Sequence, residues 1–153
     1  MARKEIIIDI QDRDQLLTFK VKEMPATKLE SWIIRALLLV AGSGTHVPDG
    51  ADIRAAGAYL AENGLAALGG IDFDQAKPLL DELLGCCSRV VEKVEERCTP
   101  ESVDAYIMDV TTLFRLRMEA IKLNLGFLGP EAARGNVPAA PSGSPEKTHT
   151  AAQ

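Results

Sequence analysis

Near the start of the chain, two segments combine β-branched residues with an alternation of polar and apolar side chains. Residues 5–10 are rich in isoleucine, and in residues 17–23 Phe19 and Val21 point to one side of an extended chain. A period of two is typical of half-buried strands. The polar linker at residues 11–15, QDRDQ, resembles a hairpin loop. We therefore expect a two-stranded β-hairpin, which must pack on helices because an isolated hairpin is only marginally stable.

A helix is predicted directly after the second strand. Pro25 ends the strand, and Thr27 and Glu30 have the spacing of a capping box, which marks a helix start near residue 26. The first two turns are amphipathic, but between residues 33 and 41 only Arg35 is polar. A helix that is apolar on nearly every side must be covered on more than one side. Arg35 is either a buried ion-pair partner or, as we favour, a residue at the edge of the apolar surface.

Apolar residues at three- and four-residue spacing predict further helices along the rest of the chain. The glycine-rich residues 42–50 predict a loop, and a second helix follows within residues 53–68. A long third helix is expected from Leu79 to Cys98. The sequence Thr-Pro-Glu at residues 99–101 is a strong helix start, so a last helix should continue to about residue 125. The two long helices would then meet with almost no loop between them.

These patterns predict a mostly α fold, a small helical bundle of about four helices with an N-terminal two-stranded β-hairpin. The 153-residue chain has room for one hydrophobic core. We expect residues 1–128 to form a single domain. Residues 129–153 are rich in Pro, Ala and Ser and contain a single Val, so they cannot bury enough apolar surface to fold. They are predicted to be a disordered tail.

Composition and charge exclude several classes of protein. A net charge of -5 and a pI near 5.1 argue against nucleic-acid binding, which needs clustered Lys and Arg. The longest apolar run is far shorter than the roughly 20 residues that cross a bilayer, and no targeting segment is apparent. Three cysteines, two of them adjacent, make a poor disulfide framework and fit a reducing compartment. We expect a soluble cytoplasmic protein without a membrane partner.

Few residues could carry catalysis. Of the two histidines, His149 lies in the predicted tail and His46 in the glycine-rich loop, where a solvated side chain is the favoured interpretation. Cys86, Cys87 and Cys98 lack the Cys-x-x-Cys spacing of redox and metal sites, and adjacent cysteines on a helix point about 100° apart. Buried structural cysteines are therefore favoured. We expect no enzyme, no catalytic residue, no metal site and no cofactor.

The first and last predicted helices carry more apolar residues than one core-facing stripe on each helix would use. A small bundle could bury both sides of a central helix, which would account for this surplus. Otherwise the surplus marks a groove or an oligomer face for an apolar helix. The candidate partner-binding residues lie on the first and last predicted helices and are Trp32, Ile34, Leu38, Leu39, Leu116, Leu123 and Phe127.

The segment TFKVKEMPATKLESWIIRALLLV, set between a short acidic N-terminal strand and a helical remainder, resembles the tail assembly chaperones of long-tailed bacteriophages and prophages. The likeness covers about residues 4–125 and includes, less sharply, LLDELL at residues 79–84. The residues that carry it best are Phe19, Met24, Pro25, Ala26, Glu30, Trp32, Arg35 and Ala36.

The resemblance implies a function without catalysis. Such chaperones bind the long helical tape measure protein, keep it soluble and help tail tube subunits assemble around it. It implies that the chain acts in the host cytoplasm and is absent from the mature virion. Members often have a longer form made by ribosomal frameshifting, and the sequence leaves open both that form and the oligomeric state, including a homo-oligomer.

Two other functions remain as alternatives. One is a minor structural or connector protein of the phage tail, which would be present in purified particles. The other is a small helical regulatory protein, or a thiol enzyme that uses Cys86 and Cys87. Replacing both cysteines with Ser would leave activity intact if they are only core residues.

Overall fold

A computed structural model describes residues 2–42, 58–60, 62–63 and 70–126 of the chain. Four antiparallel strands form one sheet in the order β1-β2-β3-β4. Residues 58–60 and 62–63 are also helical. The elements, in chain order, are β1 (Glu5–Asp12), β2 (Gln15–Lys22), α1 (Ala26–Gly42), α2 (Phe73–Leu84), β3 (Cys87–Val91), β4 (Val94–Arg97), α3 (Pro100–Val103) and α4 (Val110–Leu125).

The predicted mostly α bundle is wrong, because the protein has a four-stranded antiparallel sheet packed with helices. The first two strands pair as expected, but they make only half of the sheet. The predicted long third helix ends at Leu84, and residues 87–97 form a second hairpin instead. Its apolar residues fit a helical period. Pairing with β2, in which Val21 lies opposite Cys87, fixes them in an extended conformation that local spacing could not reveal.

A two-residue turn joins β3 to β4. Glu92 and Lys93 both have positive φ, at 49° and 71°, and Val91 pairs directly with Val94 across them. Two consecutive positive φ values are typical of the type I′ turn, whose twist matches that of the strands. This turn usually contains Asn and Gly, and the absence of both hid the hairpin from sequence analysis.

The predicted last helix is also divided. Thr99 caps a single turn, α3, in which its hydroxyl accepts a hydrogen bond from the Ser102 amide while the Ser102 hydroxyl accepts one from the Thr99 amide. The helix ends at Val103, and α4 begins afresh after Asp109, whose carboxylate accepts a hydrogen bond from the Thr111 amide. The predicted start at residue 99 is therefore correct, but one continuous helix to residue 125 is not.

A buried carboxylate explains the break between α3 and α4. Asp12, at the end of β1, has no exposed surface. Its two oxygens accept hydrogen bonds from the amides of Met108 and Asp109, from the Thr112 hydroxyl and from the Gln15 side-chain amide, at 2.7–3.0 Å. Burial alone would raise the pKa of Asp12, but these donors outweigh it and lower the pKa to about 2. The contact ties the first hairpin to the start of α4.

The core lies between one face of the sheet and the helices α1, α2 and α4. The strands contribute alternate residues, and α1 contributes a stripe at helical spacing that includes the fully buried Trp32. The Asn124 side chain accepts a hydrogen bond from the Met24 amide at 2.7 Å, which joins the end of α4 to the segment before α1. The glycine-rich loop, the tail and most of the second predicted helix lie outside the described residues.

Candidate functional site

An open groove of about 340 Å³ lies between α1 and α2. Its walls are mainly apolar, and two polar side chains complete the lining. Leu38, Leu39 and Arg35 come from α1, and Gln75, Pro78 and Leu79 come from α2. A groove between two helices, apolar with a few polar groups, is a common form of ligand or peptide site.

The sequence of α1 makes this groove because the helix is more apolar than its core contact requires. The buried stripe consists of Leu29, Trp32, Ile33, Ala36 and Val40. Ile34 and Leu38 lie outside this stripe, one turn apart, and are 42% and 69% exposed. Residues four apart on a helix are neighbours on its surface. Together they form an apolar rim that is continuous with the groove through Leu38.

Trp32 sets the position of α1 against α2. Its indole Nε1 donates a hydrogen bond to the backbone oxygen of Leu79 at 3.0 Å, and the side chain is 1% exposed. A buried indole N–H needs an acceptor, and this one lies on the facing helix. Because Leu79 also lines the groove, the Trp32 contact holds one groove wall in place.

An ion pair between Arg35 and Glu82 joins α1 to α2 beside the groove. Arg35 Nη2 donates to Glu82 Oε1 at 2.7 Å, and Nη1 lies 2.7 Å from Oε2. The hydrogen bond to Glu82 raises the pKa of Arg35. Arg35 is thus an ion-pair partner, but its side chain remains 40% exposed. It is therefore not the buried partner of the alternative, and it lies at the edge of the apolar surface as predicted. At such exposure the pair contributes little stability and mainly orients the two side chains.

The candidate partner-binding residues fall into three groups. Trp32 and Leu116 are fully buried core residues, and Leu123 is half-buried against the core. Ile34, Leu38 and Leu39 lie at or beside the groove. Phe127 lies outside the described residues. The structure therefore brings together the candidates on α1 and separates them from those on the last helix.

The groove residues on α2 were not among the predicted partner-binding residues. Gln75 and Pro78 line the opposite wall from Leu38 and Leu39. Pro78 lies inside α2, where its ring removes one backbone N–H from the helix. A proline within an otherwise helical pattern was the available signal, but the sequence did not indicate which helix it would face.

A second exposed apolar cluster lies before and at the start of α4. Met108, Val110 and Phe114 are each at least half exposed. Val110 and Phe114 lie on one apolar stripe of the helix with Ile121 and Leu125. The stripe is buried only further along α4, at Ile121 and Leu125. In the first turns, which follow the break at Asp109, it is exposed to solvent.

The three cysteines are free and buried. Burial raises the pKa of Cys86 to about 11 and also raises the pKa values of Cys87 and Cys98. Cys98 Sγ lies 3.3 Å from the Tyr106 hydroxyl, and Cys87 Sγ donates to the backbone oxygen of Leu116 at 3.6 Å. Thiols held in this way are mostly protonated at neutral pH and have core contacts typical of structural cysteines.

The described residues contain neither a metal-binding cluster nor a membrane-spanning helix. Within residues 2–42, 58–60, 62–63 and 70–126, no cluster of three or more His, Cys, Asp or Glu side chains could hold a metal ion. In the same part of the chain, no helix has the length and apolar character needed to span a membrane.

Comparisons of the chain with protein-family models, with curated proteins and with solved structures each give no match.

Proposed function

We propose that the chain is a tail assembly chaperone of a long-tailed bacteriophage or prophage. It binds the tape measure protein through the groove between α1 and α2 and through the rim formed by Ile34 and Leu38. The observation that carries the proposal is this groove, because exposed apolar side chains on a rigid helix are what an aggregation-prone helix requires.

The residues of the phage-chaperone resemblance support the proposal by their arrangement. Phe19, Met24, Trp32 and Ala36 are buried, so they build the core that positions α1. The less distinct part of the likeness, residues 79–84, lies on the facing helix. The two parts meet at two contacts, Trp32 with Leu79 and Arg35 with Glu82. The resemblance therefore concentrates on the two helices that form the groove.

The chemistry of the surface is also suited to a chaperone. Binding a helix by its apolar face needs anchor side chains spaced by one turn, and Ile34 and Leu38 have that spacing. The net charge of -5 on the chain favours its solubility by mutual repulsion. In this proposal the protein acts in the host cytoplasm, helps tail tube subunits assemble around the tape measure protein, and is absent from the mature virion.

The direct test is co-expression of the full chain with the tape measure protein of the same phage. We expect the tape measure protein to become soluble and to copurify with the chain. Leu38→Glu and Ile34→Glu should each reduce the copurified amount by about tenfold, because a buried carboxylate in an apolar contact is costly. The amounts are measured by quantitative mass spectrometry of the affinity-purified complex.

Leu16→Glu is the matched control, because Leu16 is 62% exposed but lies on the sheet, away from α1 and α2. This variant should copurify as much tape measure protein as the wild type. If the wild-type chain leaves the tape measure protein insoluble and no complex forms, the proposal is wrong. If all three variants behave alike, binding does not occur at the groove.

Purified phage particles provide a separate test of the location. A chaperone should be missing from them, whereas a minor tail or connector protein should be detected at a fixed ratio to the tube protein. Mass spectrometry of the particles distinguishes these outcomes, and a fixed ratio would contradict the proposed function.

A further inference from the structure

The free edge of the sheet at β1 is long and regular and has few of the features that usually protect an edge strand, although Glu5, Asp9 and the inward-pointing Asp12 are acidic. β1 pairs with β2 over its eight residues in one regular register. It contains no Pro, no Lys and no bulge, and Ile7 on its outer face is 65% exposed. Natural proteins usually block edges by these means, by short strands or by a covering segment. In the described part of the chain, no strand or backbone hydrogen bond covers this edge.

The opposite edge is different. β4 has only four residues, with the sequence VEER, and three of them are charged. Short, charged edge strands resist pairing with another chain. The contrast identifies β1 as the edge at which pairing could occur.

The hydrogen bonds of β1 indicate which of its backbone groups are free. The Glu23 amide donates to the Lys4 oxygen at 2.9 Å, so even-numbered residues of β1 direct their backbone groups toward β2. The Lys22 amide, in turn, donates to the Cys86 oxygen on the other side of β2, which agrees with this alternation. The backbone groups of Glu5, Ile7, Asp9 and Gln11 therefore point to the open edge.

We propose that this edge binds the same edge of a second copy of the chain, forming a two-fold dimer with a continuous eight-stranded sheet. An antiparallel pairing centred on Ile8 places Glu5 opposite Gln11 and Ile7 opposite Asp9. Each of these pairs exchanges two backbone hydrogen bonds, giving about eight in the dimer. The partner strand also covers Ile6 and Ile8, which are only half-buried in one copy.

Charge selects this register over its neighbours. The backbone groups that point to the open edge must face each other across the dimer. The partner strand can therefore slide along β1 only by two residues at a time. Centring the pair on Ile7 places Glu5 opposite Asp9, and centring it on Asp9 places the two Asp9 side chains opposite each other. Like charges in direct opposition destabilise a strand pair. The register centred on Ile8 has no such directly opposed pair of like charges.

The dimer is tested by analytical ultracentrifugation of the full chain over a range of concentrations. The wild type should sediment with twice the chain mass of 16.5 kDa. Ile7→Glu places two carboxylates opposite the two Asp9 side chains and should raise the dissociation constant about tenfold or more. The double variant Ile7→Glu/Asp9→Lys restores opposite charges in this register and should recover most of the dimer.

Leu16→Glu is the control, because Leu16 is equally exposed on the same outer face of the sheet but lies on the second strand. It should leave the dimer unchanged. A wild-type chain that stays monomeric at every concentration overturns the proposal. A dimer that survives Ile7→Glu, that the double variant fails to restore, or that Leu16→Glu breaks as strongly also overturns it. None of these results bears on the groove, because copurification of the tape measure protein is measured separately.

Discussion

The two hairpins of the sheet are held in place by different means. The first has eight residues in each strand, alternate residues in the core, and a buried carboxylate at its turn that binds the start of α4. The second has strands of five and four residues, and the whole of β4 is exposed. Surface ion pairs of Glu95 with Lys20 and Lys22 link β4 across the outer face of the sheet.

The difference indicates where stability resides. Exposed ion pairs contribute little because water screens them, whereas removing one partner from a buried polar cluster leaves several groups unsatisfied. The second hairpin is fixed mainly at its base, where Cys87 and Cys98 are buried and the Cys98 amide donates to the Cys87 oxygen. Its turn projects beyond that base. We therefore expect loss of the buried Asp12 carboxylate to be costly and changes at the second turn to be tolerated.

Asp12→Ala should have the largest effect on the first hairpin. It leaves the Met108 and Asp109 amides and the Thr112 hydroxyl without their acceptor. We expect the free energy of unfolding to fall by about 3 kcal/mol. Urea unfolding followed by circular dichroism measures the change. Asp14→Ala, in the exposed turn of the same hairpin, is the control and should change stability by less than about 0.5 kcal/mol.

The Asp12 carboxylate should also make the stability of the protein depend on pH. The pKa of Asp12 is about 2 in the folded protein, below the ordinary value of 3.8. A lowered pKa stabilises the fold at pH values above the ordinary value, and this contribution is lost as the pH falls through about 2. The stability difference between the wild type and Asp12→Asn should therefore be constant above about pH 5 and shrink toward about pH 2. A difference that does not change with pH would contradict the assigned role of the carboxylate.

The smallest effect is expected at the second turn, and it should be stabilising. Glu92 and Lys93 adopt positive φ, which costs energy in residues with a Cβ atom. Replacing them with Asn and Gly, the preferred residues of a type I′ turn, should raise the free energy of unfolding by about 0.5–1 kcal/mol. Thermal unfolding measures the change. A loss of stability would mean that the turn is not strained.

Local patterns predicted the elements whose contacts are local. The alternation in residues 17–23 and the position of Pro25 placed β2 and the start of α1 correctly, and Thr99 marked the start of α3. The second hairpin was missed because its residues satisfy a helical period as well. Only pairing with β2, some 70 residues earlier in the chain, decides between the two structures.

The break before α4 also depends on a contact with a residue that is distant in the sequence. No residue near Asp109 requires the helix to stop, but Asp12 accepts hydrogen bonds from the amides that a continuous helix would have used internally.

The candidate site was predictable only in part. Ile34 and Leu38 follow from the excess of apolar residues on α1, whereas the burial of Trp32 and Leu116 depends on how the helices pack on the sheet.

The hydrogen bond from Trp32 to Leu79 has a spectroscopic consequence. Trp32 is the only tryptophan of the chain, and its indole lies in the core with its N–H on the backbone of a residue that lines the groove. Its fluorescence is therefore a single-site signal for the spacing of α1 and α2. A helix that enters the groove and separates the two should shift this emission before the sheet is disturbed. Trp32 fluorescence should therefore report whether a helix is bound in the groove between α1 and α2.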